Sequence, residues 1–254
     1  MMRPRVIPCL LLQDRGLVKT VRFKNPKYLG DPINIVRIFN DKEVDELVFL
    51  DIQATQENRS PAFDQLRNIT SECFMPLGYG GGIKSMEDVR RLLSIGIEKI
   101  ILNTSAVENP TLIRSAADYA GSSSVVISID VKKNLPGRYE VYTRCGKKGT
   151  GLDPVKQAAA VEKLGAGEIL INSIDRDGMM EGYDLELIRR VSEAVGIPVV
   201  ACGGAGNIGH LRDAIKLGGA SAAAAGSMFV FQGPLRGVLI SYPSPRELKT
   251  LLEA

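Results

Sequence analysis

A chain of 254 residues, 44% of them apolar, can bury one large α/β core, and this length is typical of a (β/α)8 barrel. The net charge of +3 is a small difference between 32 basic and 29 acidic side chains, which argues against a nucleic-acid partner. Cys9, Cys73, Cys145 and Cys202 form no CxxC pair and His210 is the single histidine, so neither a metal site nor a disulfide framework is expected. No cofactor is expected either. The opening MMRPRVIPCLLL is too short an apolar run for a signal peptide, and no window approaches the roughly 18 apolar residues of a membrane span. The expectation is a soluble, reduced, cytoplasmic protein without a membrane partner.

The first predicted strand is RVIPCLLL (5–12), followed by a long basic loop, QDRGLVKTVRFKNPKYLGD (13–31). Strand-like runs recur at DELVFLDI (45–52), FMPLGYG (74–80), EKIILNT (98–104), SVVISIDV (124–131), GEILINSI (167–174), IPVVACGG (197–204) and ASAAAAGS (220–227). Most are continuous rather than alternating, as strands buried on both faces should be. Segments with helical spacing lie between them, including SMEDVRRLLSIG (85–96), NPTLIRSAADYAG (109–121), DPVKQAAAVEKLGAG (153–167), DLELIRRVSEAVG (184–196) and IGHLRDAIKLGG (208–219). Several open on Ser, Asn or Asp and close on Gly, as capped helices do. Eight strands alternating with helices predict a closed parallel barrel, one domain over residues 1–254, with an open doubly wound sheet as the alternative.

The segment starting at Tyr79, YGGGIKSMEDVRRLLSIGIEKIILNTSA, aligns without a gap on that starting at Cys202, CGGAGNIGHLRDAIKLGGASAAAAGSMF. Such a repeat predicts two half-barrels, about 1–122 and 123–254. Each half has a Gly-rich turn after one strand (Gly81 and Gly82; Gly203 and Gly204) and a small hydroxyl residue after the next (Thr104 following Asn103; Ser227 following Gly226). Glycines let backbone amides approach an oxyanion and a following helix N-terminus adds partial positive charge, so the pair suits a ligand with a phosphate at each end. Tight strand-to-helix turns are the alternative explanation.

These residues, with RVIPCL, GDP, NTSAVENP, GAGEILINSIDRDG and GYDLELI, resemble the HisF family, the cyclase subunit of imidazole glycerol phosphate synthase, across nearly the whole chain. The resemblance implies a barrel binding a bisphosphate at its C-terminal face, and a glutaminase of the HisH type at the opposite face whose ammonia crosses the interior. It implies two catalytic aspartates. Asp130, ending the fifth strand, matches one and is suited to general acid or base work. At the position of the other stands Leu11. Side chains alternate along a strand, so Arg5, Ile7, Cys9 and Leu11 share a face, and an inward Arg5 places Leu11 in the mouth. Asp14 lies about 10 Å further along an extended chain; it or Asp177 is a candidate replacement.

The resemblance also assigns Arg5, Glu46, Lys99 and Glu168 to a ring of alternating charges gating ammonia at the barrel bottom, with a structural plug as the alternative. It assigns Lys19, Asp177 and Gly178 to the phosphate and substrate side. Arg15, Arg22, Lys24 and Lys27 add a basic set suited to an anionic ligand. Gln13, Gln53, Asn172 and Cys202 are further departures from the family around the mouth. A kept gate and a lost carboxylate resemble HisF paralogues of surface-polysaccharide biosynthesis, which act with a glutaminase and a third protein to place an acetamidino group on a sugar. An authentic cyclase and lyase, or a phosphate-binding barrel without chemistry, are the alternatives.

Overall fold

A computed structural model of the chain describes residues 4–134 and 137–253. Its frame is a closed barrel of eight parallel strands: β1 (Arg5–Gln13), β2 (Leu47–Asp51), β3 (Leu77–Gly80), β4 (Lys99–Leu102), β5 (Val125–Lys133), β6 (Glu168–Ser173), β7 (Val199–Cys202) and β8 (Ala222–Ala225). Closure is explicit at both seams, where Arg5 of β1 pairs with Ala222 of β8 and Asp130 of β5 pairs with Asn172 of β6. Outer helices follow the strands: α1 (Pro32–Asp41), α2 (Phe63–Thr70), α3 (Met86–Ser94), α4 (Thr111–Ala120), α5 (Pro154–Lys163), α6 (Leu185–Ser192), α7 (Ile208–Lys216) and α8 (Pro245–Glu253). All eight predicted strands are present, and the barrel replaces the open-sheet alternative. No helix among the described residues is long and apolar enough to cross a membrane.

Strand periodicity sorts side chains into two cores. Val6, Leu10 and Leu12 of β1 pack outward with Phe39, Phe49 and the helix faces. Ile7 and Cys9 point inward to Val48, Ile101, Val126, Leu170, Val200, Ala222 and Ala224. Burying each larger aliphatic group contributes about 1.5–3 kcal/mol, which fixes the register: a one-residue slip would turn Arg5 outward and Leu10 inward.

The half-barrel repeat reaches further than the aligned segments. In each half the first strand runs into an antiparallel hairpin, built from Gly16–Val21 and Lys24–Gly30 after β1 and from Tyr139–Thr143 and Lys148–Gly149 after β5. Each hairpin leads to an Asp-Pro start. Asp31 and Asp153 adopt the same extended conformation and accept hydrogen bonds from the two amides that follow the proline, capping α1 and α5. The basic segment after β1, expected as a loop, is therefore a hairpin. It turns at Asp14 and Arg15, and Gln13 pairs with Gly16 across the turn.

Candidate functional site

The strand C-termini and the two hairpins enclose a cavity of about 330 Å3, within the range of small-molecule sites. Leu11 and Asp130 both line it, with Leu50, Ile101, Asn103 and Asn172 among their neighbours. Leu11 thus faces the mouth, as the alternation along β1 predicts. Asp14 is exposed at the hairpin turn and does not line the cavity, and its amide donates to Gln53 Oε1 at 2.9 Å. The expectation that Asp14 could replace the missing carboxylate is therefore corrected: the turn that folds the chain back points Asp14 to solvent.

Asp130 is almost wholly buried and holds no ion pair with Lys132 or Lys133. Asn103 Nδ2 donates to one carboxyl oxygen at 3.2 Å and Asn172 Nδ2 to the other at 3.2 Å. Burial, reinforced by the charge of Asp177 and opposed by the Asn172 hydrogen bond, pushes the Asp130 pKa up to about 7. That value suits a group exchanging protons near neutrality.

It also has a consequence for stability. The unfolded carboxyl titrates near the ordinary aspartate value of about 3.9, so between about pH 4 and 7 the folded protein keeps a proton that the unfolded chain has lost. Stability therefore falls as pH rises through this window, at up to about 1.4 kcal/mol per pH unit. Asp130→Asn is expected to remove the slope, with unfolding temperatures of variant and parent closest at pH 4 and the parent relatively less stable at pH 7.5. Parallel pH profiles would mean that Asp130 stays ionised throughout.

The two glycine turns are built alike. Gly81 and Gly204 have φ of +128° and +119°, and Asn103 and Gly226 precede short helices (Thr104–Glu108 and Ser227–Val230) with φ, ψ of −122°, −81° and −109°, −72°. All four, with Gly82, Thr104, Gly203 and Ser227, line the cavity. Ser227 Oγ and Asn172 Oδ1 are buried without a protein partner, so the hydroxyl can donate to or accept from a ligand and the amide oxygen can accept. Thr104 Oγ1 is already engaged, accepting from the Arg144 amide at 3.0 Å.

Lys19 is buried in the hairpin and its Nζ lies 2.6 Å from Asp177 Oδ1. Thr20 Oγ1 and the Phe23 amide donate to the other Asp177 oxygen at 2.8 and 3.3 Å. Asp177 thus pins the hairpin across the mouth instead of standing free as a proton-transfer group. Gly178 follows at φ +72°, where any Cβ would collide with the Thr20 carbonyl. Both residues line the cavity.

Other expectations are corrected. Arg15, Arg22, Lys24 and Lys27 are exposed, and none lines the cavity, because on the hairpin they lie on its outer surface or turns. Gln13 and Gln53 also lie off the cavity wall, whereas Asn172 and Cys202 are on it. Hydrogen bonding to Cys9 and burial hold the Cys202 thiol well above its ordinary value, so it stays neutral.

Sequence reasoning missed the second hairpin. Its tip crosses the mouth: Cys145 Sγ donates to the Ile52 carbonyl at 3.0 Å, Lys147 bonds Gln56, and Arg144 pairs with Glu108. The alternation in RYEVYT was the available signal. Asp51, at the end of β2, was also passed over. Both its oxygens are taken by Arg59, at 2.8 and 3.1 Å, and by the Gln53 and Ala54 amides, so it too is not free to exchange protons.

At the opposite end of the barrel, Arg5 bonds Glu46 and Glu168, and Lys99 Nζ bonds the same two carboxylates at 2.8 and 2.7 Å. The four form a closed square in which charges alternate. Both glutamates are nearly fully buried, and the aliphatic interior lies between the square and the cavity. Ion pairs this buried persist only with good geometry, and here each glutamate accepts from both cations.

Residues 5–235 match the histidine biosynthesis protein family. A Pseudomonas aeruginosa protein provisionally named imidazole glycerol phosphate synthase subunit hisF2 is 52% identical over 98% of this chain and 99% of its own length. One from Vibrio vulnificus, provisionally named subunit hisF3 of the same synthase, is 45% identical over 100% of this chain and 98% of its own. The HisF subunit of Alkaliphilus metalliredigens is 48% identical over 90% of this chain and 91% of its own.

Proposed function

The chain belongs to the histidine biosynthesis protein family, and from that premise we propose that it is a HisF-like subunit of a glutamine amidotransferase complex that conducts ammonia rather than closing an imidazole ring. In this reading a HisH-like glutaminase docks at the N-terminal face. Ammonia passes the square of Arg5, Glu46, Lys99 and Glu168, crosses the aliphatic interior and leaves at the mouth, where a third protein uses it to amidate a sugar of surface-polysaccharide biosynthesis. The glycine turns, Ser227 and Lys19 would hold a phosphorylated ligand at the mouth.

The observation that carries the reading is Leu11 on the cavity wall with Asp130. A chemistry that needs two carboxylates there, one to donate and one to accept a proton, has only Asp130 outside an ion pair among the described residues of the wall, since Asp14 points away while Asp51, Glu108 and Asp177 are held by Arg59, Arg144 and Lys19. Losing one general acid or base costs about 10²–10⁴-fold in rate. Supplied with the bisphosphate substrate of the histidine pathway and excess ammonium, the protein is therefore expected to form imidazole glycerol phosphate at least about 100-fold more slowly than a cyclase with both carboxylates. Leu11→Asp is expected to raise that rate. Turnover at the level of an ordinary cyclase would sink the conduit reading.

A second reading, an authentic cyclase and lyase of histidine biosynthesis, draws on the Asp130 pKa of about 7 and the paired turns. The same assay decides between the two.

A further inference from the structure

The segment that leaves the cavity wall also builds an exposed apolar rim. After β8, Gly226 and Ser227 line the cavity, the short helix Ser227–Val230 follows, and the chain then forms a small hairpin pairing Phe231 with Val238 and Gln232 with Gly237. Leu235 at its turn is 93% exposed and Leu239, directly after it, 53%. Water-facing leucines gathered at one short hairpin beside a cavity mouth mark a contact surface more often than scattered ones do. The match to the family ends at residue 235, inside this hairpin.

The charge around it has one sign. Residues 225–246 contain Arg236 and Arg246 but no aspartate or glutamate, and neither does the stretch 15–30, which holds Arg15, Lys19, Arg22, Lys24 and Lys27. The two stretches meet: Lys27 Nζ donates to the Arg236 carbonyl at 3.2 Å and lies 5.2 Å from the centre of the Phe231 ring. Lys27 and Arg236, neither of which enters the cavity, thus stand beside the exposed leucines. Such a surface complements a partner with an apolar patch and an acidic rim.

We propose that this hairpin, with the outer face of the first hairpin, docks the ammonia-accepting enzyme, a sugar-amidating protein with an acidic contact surface. The inference rests on the conduit reading above. Ammonia that leaves an open mouth equilibrates with solvent, so a conduit has use only if an acceptor seals against its exit. Here the sealing surface and the cavity wall are consecutive residues. Lys19, inside the cavity, and Lys27, outside it, sit on paired strands of one hairpin. Docking outside therefore bears directly on the element that covers the site.

The test uses this chain, its HisH-like glutaminase and the amidating enzyme, each purified. Leu235→Asp combined with Leu239→Asp changes two water-facing side chains, and a matching unfolding temperature verifies the fold. The double variant should bind the amidating enzyme at least tenfold more weakly and lose glutamine-driven sugar amidation to a similar degree. Amidation driven by ammonium salt, and activation of the glutaminase, should stay unchanged. Equal binding of variant and parent would overturn the surface assignment and leave the conduit reading intact. Self-association of the parent abolished by the substitutions, with amidation unaffected, would overturn it in favour of a second copy of this chain. Failure of the unsubstituted protein to support glutamine-driven amidation would remove the conduit reading, and the proposed occupant with it.

Discussion

Lys99→Ala is expected to uncouple glutamine hydrolysis from amidation by an order of magnitude, measured as product formed per glutamine consumed. Lys99 Nζ donates to Glu46 and Glu168, whose side chains are only 4% and 6% exposed, and without it both depend on Arg5 alone. The substitution leaves a gap at one corner and an excess of negative charge at the entrance, where water and ammonium can then enter together. It should also cost about 2–3 kcal/mol of stability, less than a fully buried pair loses because Arg5 remains and Lys99 is partly solvated. Unchanged coupling with that loss of stability would identify the square as a structural plug.

Gly81→Ala is expected to remove the site more thoroughly than any polar substitution in it. Gly81 has φ +128°, and a Cβ there would lie 2.6 Å from the Asp51 carbonyl oxygen and 2.7 Å from Asp51 Cβ. Backbone strain of this kind costs on the order of 1–3 kcal/mol before the clash is counted, and relief requires moving the end of β2. Unfolding measurements should show a loss of roughly 3–5 kcal/mol, and any gain in unfolding temperature from added inorganic phosphate should shrink. Gly151→Ala provides the comparison: φ is +73° but nothing lies within 4 Å, so only the left-handed conformation is penalised, by about 1–2 kcal/mol. Equal losses at the two positions would mean that the close approach at Gly81 is relaxed at no cost.

The barrel was legible because both faces of its strands are buried, which leaves continuous apolar runs such as EILINS and ASAAAA. Leu11 was legible for a related reason: period-2 alternation needs only one inward residue to place the others on the strand. What escaped were features decided by contacts between residues far apart in sequence. Thr20 and Phe23 reach Asp177 across more than 150 residues, and Cys145 reaches Ile52 across 93. Composition alone does not reveal which side of a hairpin a lysine occupies; only the family resemblance set Lys19, buried in the cavity, apart from Lys27, which faces solvent. Asp51 was passed over for the same reason, since its bidentate partner Arg59 comes from the loop beyond its strand.

The square of Arg5, Glu46, Lys99 and Glu168 carries two positive and two negative groups, so its net charge is zero. Alternation makes it an electrical quadrupole, and on the central axis of a quadrupole the contributions of the four corners cancel. A monopole at the same place would concentrate one sign of ion and project a field along the whole interior, whereas this arrangement fades within a few ångströms. A neutral molecule on the axis is therefore neither held nor repelled, while an ammonium ion would have to shed its water with no opposite charge to compensate. If the proposed conduit is correct, the barrel's lower end would thus be densely charged and still favour passage of the uncharged form.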